Sequence, residues 1–204
     1  MPSPFVIDDF GGRIATVWSE LRPATRGLVE RALQGTDSGT QTTRTFHYDA
    51  RADLELSRFL AALDAALQDR AGEKTDVETG GKLRSVAETC ATMLQEQTES
   101  AEVFAQLVLR AETQKDYERI DTLADALTSR FPPSEICELA RSEDAIVREL
   151  ANEALARCPV SVLTGLLGDP VDGETARSAL RRQIVEYGSE EARRIVSALE
   201  QEEF

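Results

Sequence analysis

The sequence predicts an all-α protein built from stacked antiparallel helix hairpins. Three observations carry the prediction. Apolar residues recur at intervals of three and four along most of the 204-residue chain, the spacing that lines up side chains on one face of an α-helix. Alternating apolar and polar residues, the mark of a half-buried strand, are almost absent. The breaks between periodic segments are rich in Gly, Pro and Asp, residues that end helices and form turns.

The elements follow in order. The N-terminus reads MPSPFVIDDF, with Asp8 and Asp9 where a signal peptide would be apolar, so secretion by that route is not expected. A helical hairpin follows, in which Trp18 goes with Leu21, Leu28 and Val29. Gly35 to His47 reads as a polar, mobile connection, either a plain linker or a segment that orders on a partner. Its stretch TQTTRTFHY has strand-like composition, but one isolated strand has nothing to complete its ladder. Leu56, Phe59, Leu60, Leu63 and Leu67 then share one face of a helix from about Asp53 to Ala71, ended by Gly72. A second break covers Ala71 to Gly81. Beyond it the same period fits Leu83, Val86, Ala87, Cys90, Met93 and Leu94, then Val103, Phe104, Leu107, Val108 and Ala111, then Ile120, Leu123, Ala124, Leu127 and Phe131. Pro132 and Pro133 mark the next boundary, with Ser134 as the expected N-cap of a short helix through Ile136, Leu139 and Ala140. The chain thus divides into residues 1–48, an N-terminal hairpin plus connection; 49–131, an amphipathic bundle; and 132–204, further helical hairpins.

Charge narrows the function. Lys and Arg number 23 against 37 Asp and Glu, a net charge of -14, and such a surface repels phosphate backbones and anionic lipid headgroups. Direct nucleic-acid binding and membrane association are therefore not expected. The longest apolar run, Phe59 to Leu63, has five residues, whereas a membrane-spanning helix needs about 20. Cys90, Cys137 and Cys158 are odd in number and form no C-x-x-C pair, which suggests neither a disulfide framework nor a zinc site and makes the cytoplasm the simplest compartment. All three fall on predicted apolar faces, where a thiol acts as a small hydrophobe.

Residues 144–157 read DAIVRELANEALAR, in which Val147, Arg148, Ala151, Ala154 and Leu155 fit the pattern V-R-x-x-A-x-x-A-L. Twenty-nine residues on, Ala176, Arg177, Leu180 and Ile184 take the places of Val147, Arg148, Ala151 and Leu155, after a turn containing Leu166, Leu167, Asp169 and Pro170. The pattern resembles the second helix of a HEAT repeat and covers about 85 residues at the C-terminal end. The resemblance implies a HEAT-like solenoid in this part of the chain, in which each hairpin completes the core of its neighbour. Gln183 stands where the first copy has Ala154, which predicts looser packing of that helix.

No constellation for catalysis emerges. His47, the only histidine, lies in the polar connection, a poor place for a general base. No metal-ligand spacing occurs, and Gly11-Gly12 and Gly80-Gly81 lack the Lys-Ser/Thr of a phosphate-binding loop. No catalytic residue, metal or cofactor is assigned. One cationic group stands out in the acidic C-terminal block: Arg177, Arg181 and Arg182, followed by Arg193 and Arg194. It would receive an acidic or amphipathic segment of another protein, unless Glu174, Glu186, Glu190 and Glu191 absorb it in surface ion pairs. Trp18, within the near-neutral stretch 1–50 with five basic and six acidic residues, is a second docking candidate if exposed and a packing anchor if buried. The leading expectation is a non-enzymatic protein-interaction module, an adaptor or scaffold. The alternative is an acidic regulator that occupies a basic surface of a nucleic-acid-binding protein, and the third is an enzyme of unrecognised type.

Overall fold

The computed structural model describes residues 7–34, 48–70 and 77–202. Among these residues the protein is all-α, with no strand. After a 3-10 turn at Ile7–Phe10 come α1 (Gly12–Glu20), α2 (Pro23–Gln34), α3 (Ala50–Arg70), α4 (Val77–Gln97), α5 (Ala101–Gln114) and α6 (Tyr117–Arg130). Next are α7 (Pro133–Ala140), α8 (Ala145–Arg157), α9 (Val160–Leu166), α10 (Gly173–Tyr187) and α11 (Glu190–Glu202). Packing divides the chain into two compact units, 1–98 and 99–204. The three sequence blocks follow changes in residue chemistry, whereas the units follow which helices touch. The Gly35 to His47 connection and the 71–76 part of the second break lie outside the described residues.

In the first unit α3 and α4 pair along their length, α1 lies on α3, and α2 rests on both. The 3.6-residue period explains the pairing: Leu56, Phe59, Leu60 and Leu63 of α3 and Leu83, Val86, Ala87, Cys90 and Leu94 of α4 are all fully buried. Two boundaries differ from expectation. Helix α3 begins at Ala50 because Asp49 caps it, its carboxylate accepting the Ala52 N–H at 2.7 Å and its carbonyl the Asp53 N–H at 3.1 Å. Gly80 and Gly81 lie inside α4 rather than in a break. Burying the α4 face outweighs the roughly 1 kcal/mol that each helical glycine costs.

In the second unit consecutive helices form hairpins, α5 with α6, α7 with α8, and α9 with α10. The hairpins stack: α5 packs on α7, α6 on α8, and α8 on α10, while α11 closes over α9 and α10. Helix α7 starts with Pro133 in its first turn and Pro132 as its cap residue, so Ser134 is not the N-cap. A proline there loses nothing, because the first-turn N–H groups have no partner inside the helix and its fixed φ already suits one. Between α5 and α6, Lys115 adopts the left-handed conformation at φ 58° while Asp116 caps α6 by accepting the Arg119 N–H at 3.1 Å.

The in-register positions of α8 and α10 agree in burial at three places and differ at two, where Leu155 is buried against a half-buried Ile184 and Arg148 is exposed against a half-buried Arg177. Val147 and Ala176, Ala151 and Leu180, and Ala154 and Gln183 are all buried. Arg148 turns back over the α7–α8 connection and donates to the carbonyls of Ser142 at 2.8 Å and Glu143 at 3.1 Å. Gln183 is only 5% exposed, and its amide donates to the Cys158 carbonyl at 2.7 Å. The longer side chain thereby satisfies a carbonyl at the end of α8 that no residue of that helix can reach. The Asp169-Pro170 turn is held by the Asp169 carboxylate, which accepts the Val171 and Asp172 N–H groups at 2.8 and 2.9 Å. Arg141 then binds Asp172 at 2.7 Å, tying the end of α7 to the start of α10. Gly173 is required by close approach: a β-carbon there would lie 2.7 Å from the Leu167 carbonyl oxygen.

Candidate functional site

The predicted cationic group sits on α10 and α11, and helix geometry divides it. Arg181 and Arg182 are neighbours in sequence but point about 100° apart around α10. Arg182 turns toward α8, where its guanidinium meets Glu149 at 2.8 Å and Glu153 at 3.5 Å, and it also binds Glu186 on its own helix at 2.7 Å. These carboxylates, Glu149 first, hold its pKa above the ordinary arginine value. Arg182 is a tie between hairpins. Arg181 turns toward α11 and lies 3.7 Å from Glu200 and 3.8 Å from Glu174, distances of loose ion pairing. Arg193 pairs with Glu190 one turn earlier on α11. Arg177 is half-buried, one turn before Arg181 on the same stripe of α10. Arg194 is exposed and holds no ion pair among the described residues.

Trp18 is not on this surface. It is half-buried on α1, its ring 5.2 Å from that of Phe59 and tilted by 46°, so the indole helps fasten α1 to α3. His47 lies outside the described residues.

Sequence reasoning missed Val185, Tyr187 and Arg157. Val185 is 84% exposed, the highest value among the exposed large apolar side chains of the described residues. It falls on the Arg177–Arg181 stripe one turn past Arg181, and its sequence signal was available: it is out of step with Ala176, Leu180 and Ile184, which mark the inward face. Tyr187 follows Gln183 by one turn on the opposite side of α10. With Ala156, Arg157, Gln183 and Ser189 it lines an open groove of about 340 Å³. Arg157 pairs with Glu153 at 2.7 Å, and hydrogen bonding to Tyr187 raises its pKa.

Burial disfavours the thiolate form at Cys137 and Cys158. Cys137 is buried, and desolvation, followed by the nearby Asp172 carboxylate, pushes its pKa up to about 11. Burial also raises that of Cys158, which sits at the end of α8 rather than on a helix face. A thiol shifted upward is protonated at neutral pH and reacts slowly. Among the described residues no group of three or more His, Cys, Asp and Glu is arranged to hold a metal ion, and none of the helices is long and apolar enough to cross a membrane.

Negative charge is left uncompensated elsewhere. Glu118, Asp121 and Asp125 lie at successive turns of α6, all exposed and without an ion pair among the described residues. Residues 99–204 carry 12 basic and 22 acidic side chains, against 11 and 15 in residues 1–98. Compared with known proteins, the chain matches no family model, no curated protein and no solved structure.

Proposed function

We propose that this protein is a non-enzymatic interaction module whose second unit is a short HEAT-like stack, and that the α10–α11 hairpin is its docking face for an acidic or amphipathic segment of another protein. The observation that carries this reading is the stripe Arg177, Arg181, Val185: a large apolar side chain, 84% exposed, one turn beyond a loosely paired guanidinium. Arg194 adds a cation with no ion pair among the described residues. An apolar contact flanked by cations selects a segment by orientation as well as by charge. Three cysteines that form no disulfide go with residence in a reducing cytoplasm.

The test begins with affinity capture from the native host and mass spectrometry to identify the partner. The reversal Arg177→Glu, Arg181→Glu, Arg193→Glu and the single change Val185→Glu should then each weaken its binding by at least tenfold, about 1.4 kcal/mol, with the helical circular dichroism unchanged. A change below about 0.5 kcal/mol, the size of an idle surface substitution, removes this face from consideration.

A second reading is favoured by the stripe Glu118, Asp121, Asp125 on α6. In it the acidic second unit covers a basic surface of a nucleic-acid-binding protein in place of nucleic acid. Ionic strength helps separate the two, since an electrostatic mimic loses affinity more steeply between low and physiological salt than a contact centred on an apolar side chain. Replacing the three α6 carboxylates by their amides should weaken binding only under this second reading.

A further inference from the structure

We draw no further inference here: the strongest candidate, the open groove between the C-terminal ends of α8 and α10 lined by Arg157, Gln183 and Tyr187, has its cation neutralised by Glu153 and its amide bonded to the Cys158 carbonyl, and nothing in the structure shows what covers it.

Discussion

The two units handle their buried and half-buried polar groups differently. In the first, side chains bind one another around the start of α3. Arg22 reaches Asp49 at 2.7 Å and Glu55 at 2.9 Å, Thr25 donates to Glu55, and the buried Asp53 accepts from Tyr48 and from Thr98, the latter at 3.0 Å. In the second unit several polar side chains serve the backbone at a connection, Asp116 and Asp144 capping helices, Arg148 and Asp169 holding turns and Gln183 closing the end of α8, beside the side-chain ties of Arg141 to Asp172 and of Arg182 to Glu149, Glu153 and Glu186. A shared side-chain network couples its members, so substitutions within it are not additive. Contacts made at single connections are expected to act more independently of one another.

The largest effect expected from this contrast is at Asp53. It is 5% exposed and Thr98 is fully buried, so Asp53→Ala strands the buried Thr98 hydroxyl and frees the half-buried Tyr48 hydroxyl, and should cost about 2–4 kcal/mol in denaturant unfolding. The double variant with Thr98→Val should cost clearly less than the sum of the two singles. Simple additivity would mean that the first unit is no more networked than the second.

Acid titration sharpens the same point. Asp49 is held at about 2, chiefly by its hydrogen bond to Arg22, and Glu55 is held below its ordinary 4.5 by Thr25 and Arg22 against the opposing effect of burial. Carboxylates depressed in the folded state stabilise it above their unfolded pKa values, and that contribution fades as the pH falls from about 4.5 toward 2. Arg22→Ala should therefore flatten the acid limb of a stability–pH curve for residues of the first unit followed by NMR. An unchanged limb there would show that the depressed carboxylates owe nothing to Arg22.

A smaller effect is expected at Gln183, where replacement by Ala leaves the Cys158 carbonyl unpartnered and should cost about 1–2 kcal/mol. Amide exchange should speed up mainly in α8 and α10; a loss spread equally over α5 and α6 would show a cooperative unit in place of modular hairpins. Smallest is Lys115→Gly. Relief of a left-handed conformation should stabilise by about 0.5–1 kcal/mol in thermal unfolding, and a destabilised variant would mean that the lysine side chain holds the α5–α6 turn in a way its backbone does not reveal.

How much of this was legible in the sequence depends on distance along the chain. The helices and their buried faces were, because Leu56 to Leu63 or Val103 to Ala111 report a local period that tertiary packing reinforces. Cap positions were less so: Asp49 follows a polar stretch that hides the start of α3, and Pro132-Pro133 signals a boundary without saying which residue begins the helix. The fate of the arginines was not legible. That Arg182 bridges to Glu149 depends on how α8 lies beside α10, a non-local fact, although the 100° step from Arg181 already implied that neighbouring arginines would face different surroundings. Gln183 misled for a related reason. A polar residue on an apolar stripe reads as a defect until the carbonyl it meets, 25 residues away, is in view.

The placement of Arg182 makes the joint between the second and third hairpins responsive to electrolyte. Three carboxylates converge on one guanidinium whose side chain retains 25% of its exposure, so mobile ions can compete for each partner. At about 1 M of a kosmotropic salt such as sulfate, where the screening length shrinks to about 3 Å or less, this clasp weakens while burial of the apolar faces of α8 and α10 is strengthened. The contact between α8 and α10 is then held by two forces with opposite responses to the same solute.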